Sequence, residues 1–151
     1  MSHPSTSHSP IITLFKRFYA DLTRQEWSEL ERFYAPDICF RDPVHKLKGV
    51  EALRAYLEAL CGNLTGCRFD YLDENVQDGT AYIKWDMTYS HPRVRGGAPV
   101  TVRGMSQLEF DSRGIYYHED VYDMGAMLYE HVPILGTGVR WLRHRLGNAA
   151  P

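Results

Sequence analysis

The stretch CRFDYLDENVQDGTAYIKWDMTYSH, residues 67–91, decides the fold class. Cys67 to Val76 has strand character, and Asp78-Gly79 is a tight-turn pair of the kind that closes a β-hairpin. From Thr80 to His91 the chain alternates cleanly. Ala81, Ile83, Trp85, Met87 and Tyr89 share one face, and Tyr82, Lys84, Asp86, Thr88 and Ser90 share the other, because successive side chains of a strand point to opposite sides. A free surface carrying Trp85, Met87 and Tyr89 would be an unusual apolar patch, so that face must be covered by something.

Working downstream, Val100 to Phe110 reads as a strand, Asp111-Ser112-Arg113-Gly114 turns the chain, and Ile115 to Asp123 runs back. Together with the hairpin this makes a four-strand meander. Working upstream, the period changes to that of helices. Ser9-Pro10 is an N-cap followed by proline at the first helical position, and Ile11, Leu14, Phe15, Phe18, Tyr19 and Leu22 follow at helical spacing. A second short helix is predicted through Trp27, Leu30, Phe33 and Tyr34, stopped by Pro36. Ile38 to Arg41 is a brief strand ended by Asp42-Pro43. Gly49 opens a third helix with Leu53, Tyr56, Leu57 and Leu60 on one stripe and Gly62 as its C-cap. Three N-terminal helices on a curved antiparallel sheet make an α+β roll, and if the sheet curls around the helices the space between becomes a cone-shaped cavity.

The predicted organisation is a disordered tail over 1–9, one domain over 10–135 and a basic amphipathic helix and tail over 136–151. In that last segment Arg140, Arg143, His144 and Arg145 accompany Trp141, Leu142 and Leu146. Packing of its apolar stripe on the domain or a partner is favoured over membrane contact. Met124 to His131 reads as a further short helix, and Met124, Met127, Leu128, Val132 and Leu135 are placed at the pocket mouth.

Charge narrows the partners. Lys and Arg number 17 against 19 Asp and Glu, a net −2, which gives no electrostatic footprint for nucleic acid. The first residues carry neither the cationic end nor the apolar run of a signal peptide, and three cysteines, Cys39, Cys61 and Cys67, make no metal-type pair. Reduced thiols in the cytoplasm are the expectation. Aromatic residues make up 13% of the chain, a level that suits either a dense core or a ligand cavity.

The segment Lys16 to Leu22, then Trp27, then Phe33 to Val44, resembles the opening of bacterial ketosteroid isomerases. Gly49 through Leu57 is similar to the helix that follows in SnoaL-like proteins, and His118 to Asp123 to their closing strand. Over most of residues 11 to 124 the chain therefore resembles the SnoaL-like, or nuclear transport factor 2-like, superfamily. That resemblance implies a cone-shaped pocket for a small apolar molecule and a homodimer through the outer sheet face. Position by position, Asp42 falls on the isomerase's general base, Phe18 on its oxyanion tyrosine with Tyr19 adjacent, and Ser106 on its protonated aspartate. Lys84 and Asp86, with Asp120, resemble the cation and two carboxylates of limonene epoxide hydrolase.

The resemblance places Lys84, Asp86, His118 and Asp120 inward, with Ile83, Trp85 and Met87 in a dimer interface. Alternation alone favours the opposite for the hairpin strand: apolar face on the core, polar face in water. If the polar face is inward, two carboxylates in an apolar cavity cannot both ionise cheaply, and one becomes an acid and the other a base. Asp86 and Asp120 are then the pair, Lys84 orients them, His118 relays protons, and Asp42 is an alternative base. Against a catalytic Asp42 stands ordinary Asp-Pro turn chemistry. Phe15, Phe18, Tyr19, Phe40, Val102, Leu108 and Tyr122 are assigned to the pocket wall, with Ser106 as a donor to a substrate oxygen.

His118, Asp120, Asp86 and His45 lack a recognised metal spacing, no serine or cysteine stands in a nucleophile setting, and Gly96 and Gly97 lie in a hairpin loop rather than a phosphate-binding turn. No metal and no cofactor are expected. The reading is a cofactor-independent acid–base enzyme acting on a small apolar or polycyclic substrate by isomerisation, cyclisation, dehydration or epoxide hydration. The alternative is a non-catalytic domain that binds a lipid-like ligand or serves as a dimeric accessory.

Overall fold

The structure, a computed structural model, describes residues 9–123. The expectations for the first eight residues, for residues 124–131, for the basic C-terminal helix and for the boundary at 135 lie outside the described residues. Helix α1 (Pro10–Ala20) starts where the Ser9-Pro10 pair predicts, and buries Ile12, Phe15, Phe18 and Tyr19. Helix α2 (Val50–Cys61) buries Leu53, Leu57 and Cys61, a stripe spaced by four residues.

The second predicted helix does not form as such. The chain instead makes two short 3₁₀ segments, Leu22–Arg24 and Trp27–Arg32. Strand β1 (Tyr34–Arg41) then begins earlier than predicted, so Tyr34 belongs to a strand and Pro36 lies inside it. Proline offers no backbone N–H, and it falls where the pairing of β1 is interrupted, between Tyr34 and Cys39. A short strand missed by the sequence reading, β2 (Lys46–Lys48), pairs with β1 at the sheet edge.

The meander forms as predicted: β3 (Gly66–Gln77), β4 (Thr80–Ser90), β5 (Val100–Asp111) and β6 (Gly114–Tyr122). Asp78 and Gly79 both have positive φ, 51° and 78°, as the tight turn between β3 and β4 requires. The six strands form one sheet in the order β2-β1-β6-β5-β4-β3. It is mixed rather than antiparallel, because β1 pairs with β6 in parallel. That pairing carries Tyr34 and Phe40 from the N-terminal half to the flank of His118.

One face of the sheet supports the core. On β4, Ala81, Ile83, Trp85, Met87 and Tyr89 are buried, while Tyr82 is exposed and Lys84 and Asp86 are partly exposed. The inward rank continues through Val102, Ser106 and Leu108 on β5 and His118 on β6. The apolar residues of the hairpin therefore pack on the domain's own core. The inward orientation of Lys84 and Asp86 drawn from the resemblance is corrected: desolvating a Lys–Asp pair is unfavourable when the same strand offers an indole and three aliphatic or thioether chains to bury. Among the described residues no helix is long and apolar enough to cross a membrane.

Candidate functional site

Strand register assembles a polar cluster on the inner face. The β5–β6 pairing sets Ser106 opposite Asp120 and Leu108 opposite His118, and β4 sets Trp85 opposite Gly104. His118 and Asp120 are two apart on one strand and so project from the same side. His118 Nε2 lies 2.7 Å from Asp120 Oδ1, and Ser106 Oγ donates to the same oxygen at 2.5 Å. The Trp85 indole N–H donates to Ser106 Oγ at 2.9 Å, which leaves the serine's single hydrogen for Asp120. With its carboxylate accepting from Ser106, an ionised Asp120 places a proton on His118 Nε2. The other imidazole nitrogen, Nδ1, lies 2.7 Å from Tyr34 Oη, and Tyr34 Oη lies 2.8 Å from Tyr19 Oη.

Gly104 makes room for this arrangement. The Trp85 ring lies over it, and a Cβ at that position would collide with the indole Cη2. Burial is the leading cause that holds the phenols of Tyr19 and Tyr34 well above the ordinary tyrosine range. Both are therefore neutral hydroxyls that can accept and donate.

Asp42 is buried and lies on the same cavity as Asp120, Tyr19, Phe40, Tyr56 and Tyr122. Its Oδ1 accepts backbone N–H bonds from Val44 at 2.8 Å and His45 at 2.6 Å, and its Oδ2 accepts from Tyr56 Oη at 2.6 Å. The turn chemistry of Asp-Pro is thus realised in full, and both carboxylate oxygens hold the Pro43 loop against α2. Burial and then the bond to Asp42 raise the Tyr56 phenol far above its usual range. The cavity has a volume of about 40 Å³, room for a few waters.

The remaining predicted site residues separate into three groups. Tyr19, Phe40 and Tyr122 line the cavity as assigned to the pocket wall. Phe15, Phe18, Val102 and Leu108 are buried one layer away: Phe15 stands edge-on to His118, Phe18 packs on Trp27 and Phe33, Val102 lies opposite Met87, and Leu108 lies opposite His118. Lys84 and Asp86 are on the outer face, where Arg103 grips Asp86 in a bidentate pair at 2.9 and 3.2 Å. That hydrogen bond, more than charge, lowers the Asp86 carboxyl below its ordinary value. No acid–base pairing of Asp86 with Asp120 arises, because the sheet lies between them.

Three members of the site escaped the sequence reading in their roles. Helical spacing puts Tyr34 on a helix and Tyr56 on a packing stripe, and the resemblance puts Trp85 in an interface. A signal for Trp85 was present in the alternation of β4, which sets its parity with Ile83 and Met87. Tyr34 carried no local signal, since its partner is 84 residues away.

The SnoaL-like domain family matches residues 15–118. No curated protein sequence matches the chain. Among solved structures, a protein of ketosteroid isomerase-like fold from Catenulispora acidiphila, in complex with trimethylamine, superposes with a TM-score of 0.69 at 13% identity, covering 82% of this chain and 92% of that one. TerC co-crystallised with polyporic acid gives 0.69 at 16% identity, covering 83% and 99%. A protein of Jannaschia sp. CCS1 described as a candidate SnoaL-like polyketide cyclase gives 0.68 at 14% identity, covering 82% and 94%. At these identities the structural likeness establishes the shared fold.

Proposed function

Because the chain belongs to the SnoaL-like domain family, we propose that it takes a small, largely apolar or polycyclic molecule between its helices and inner sheet face and acts on it by cofactor-independent acid–base chemistry. The observation that carries the proposal is Asp120. Its carboxylate borders the cavity, and its Oδ1 is fixed by two neighbours, Ser106 and His118, neither of which is a permanent cation. A carboxylate held by Arg or Lys is neutralised, whereas this one has its direction fixed by groups that carry no permanent charge. The imidazole can stabilise either protonation state of the pair. Asp42 borders the same space, but its two oxygens are engaged in the loop, so it serves as a wall rather than as the base.

The cavity of about 40 Å³ is far below the roughly 300–1,000 Å³ of ordinary ligand sites. A polycyclic molecule needs more room than this space between the described residues offers. The tight filling favours, as a second reading, a binder that opens around its ligand without transforming it. Turnover of a panel of polycyclic ketones and epoxides by the native chain and by Asp120→Asn separates the two. Loss of about 100-fold or more in rate with an unchanged circular dichroism spectrum is expected. Equal rates in both proteins would overturn the enzymatic reading. Binding without turnover, insensitive to Asp120→Asn but lost in Leu108→Trp, would establish the binder.

The outer sheet face belongs to the same proposal. Tyr82, Met105 and Val121 are exposed on adjacent strands β4, β5 and β6, with Met105 directly opposite Val121. We place a homodimer contact there, since such a patch on a single domain calls for cover. Val121→Asp is expected to shift the mass seen by light scattering from dimer to monomer.

A further inference from the structure

We propose that Tyr34 links His118 to Tyr19 as a reversible proton relay, so that the Tyr19 hydroxyl is a second proton-exchanging terminus of the cavity beside Asp120. This inference rests on the acid–base reading above, because a relay has a task only where a bound molecule gains or loses a proton.

His118 supplies an imidazole beside the cavity and is not among the described residues that line it. It is 1% exposed. Its Nε2 is engaged by Asp120, and its Nδ1 faces Tyr34 Oη at 2.7 Å. Tyr34 is itself 2% exposed and passes the contact on to Tyr19 Oη at 2.8 Å. Tyr19 does border the cavity. Tyr19 thus joins the cavity wall to Tyr34 through its hydroxyl.

The chain is complete in both directions. In the resting polarity Tyr19 donates to Tyr34, Tyr34 donates to Nδ1, and Nε2–H donates to the Asp120 carboxylate. When a ligand atom X gives up a proton at Tyr19 Oη, the electron pair of the X–H bond stays on X. Tyr19's own proton passes to Tyr34 Oη, and Tyr34's passes to Nδ1. The product is an imidazolium between Tyr34 and the Asp120 carboxylate, with both phenols still neutral. Return of the proton reverses each bond. Burial keeps both phenols protonated, so the transfer proceeds by exchange of hydrogens and leaves no phenolate behind. Every heavy-atom separation in the chain lies within ordinary hydrogen-bond length.

If the three groups were merely packed together without a continuous hydrogen-bonded line, Tyr19 would not respond to His118. Among the described residues, the imidazole is flanked by Phe15 and Tyr19 from α1, Tyr34 and Phe40 from β1 and Asp120 from β6, with Leu108 its register partner on β5. Of these, Tyr19, Tyr34 and Asp120 are titratable.

The test is a titration of the full chain carrying ¹³C at tyrosine Cζ and ¹⁵N in histidine. In the native chain the Tyr19 Cζ resonance is expected to follow the protonation curve of His118, as the polarity of the chain reverses. Neutral His118 is expected to carry its proton on Nε2. In Tyr34→Phe, His118 still titrates and the Tyr19 response is lost. If that variant does not fold, Tyr19→Phe replaces it, and Tyr34 Cζ must still follow His118. A flat Tyr19 resonance in the native chain, a response that survives in Tyr34→Phe, or a His118 that never changes protonation while the fold persists would overturn the relay. These outcomes need no substrate. Coupling with unimpaired turnover in Asp120→Asn removes the functional reading and leaves the relay, whereas no coupling with turnover lost in Asp120→Asn removes the relay alone.

Discussion

Asp86 and Asp120 are the same residue type, two strands apart in one sheet, and they live in opposite chemistry. Asp86 on the outer face is clasped by the Arg103 guanidinium, itself largely exposed, and its charge is neutralised in water. Asp120 on the inner face meets a serine hydroxyl and an imidazole beside a narrow cavity. A carboxylate paired with a permanent cation has no proton affinity to spare. One held by a hydroxyl and an imidazole has a partner that can itself take up or release a proton, and the apolar surroundings make each of its hydrogen bonds count for more. What decides the difference is strand parity: residues of even number on β4 and residues of even number on β6 face opposite sides.

The contrast between the two faces can be broken most severely at Trp85. Trp85→Ala is expected to destabilise the fold by about 3–5 kcal/mol in urea unfolding, because it empties the inner face and removes the donor to Ser106. The matching outer-face change, Asn75→Ala on the neighbouring strand, should stay within about 0.5 kcal/mol. Equal losses at both positions would mean that the faces are not distinct. Next in size is Gly104→Ala, whose added methyl meets the indole; overpacking of this kind costs about 1–3 kcal/mol. A neutral result in thermal unfolding would show that Trp85 is free to leave its place.

Alkaline pH sharpens the same comparison. Folding raises Tyr19 and Tyr34 above their ordinary value of 10.0. Above that value the unfolded chain releases protons that the folded chain retains, so the unfolded state binds fewer and stability falls as pH rises. Stability from this source is full below about pH 10 and is lost above it. Tyr34→Phe should flatten the alkaline slope by about 1.4 kcal/mol per pH unit. An unchanged slope would contradict the burial of that phenol. The smallest effect belongs to the outer carboxylate: Asp86→Asn should leave both the melting temperature and any turnover where they were. A loss of activity there would return Asp86 to the catalytic group.

Much of the fold was legible because its signals are local. The Ser9-Pro10 start of α1, the Gly49 start of α2, the Asp78-Gly79 turn and the period-two strands of the meander each lie within a dozen residues of chain. The second helix failed because helical spacing of Trp27, Leu30 and Phe33 is shared by a 3₁₀ segment running into a strand, and only pairing of Tyr34 with Ile115 resolves which. In the site, Asp120, His118 and Ser106 were named from the sequence and do meet. Lys84 and Asp86 were named with them and do not. The alternation of Thr80 to His91 carried the correct answer for β4, and the family comparison outweighed it.

The amino-acid order by itself determined which segments turn, curl or extend, and that Trp85 must share a side with Ile83 and Met87, since period and parity are properties of neighbouring residues. Only the tertiary structure decided which side looks inward, that β1 joins β6 in parallel, and that Tyr19, Tyr34, His118, Asp120 and Ser106 form one hydrogen-bonded line. Those facts depend on register between strands and on contacts across most of the chain, and hydrogen bonds are made at distances that spacing along a sequence does not encode.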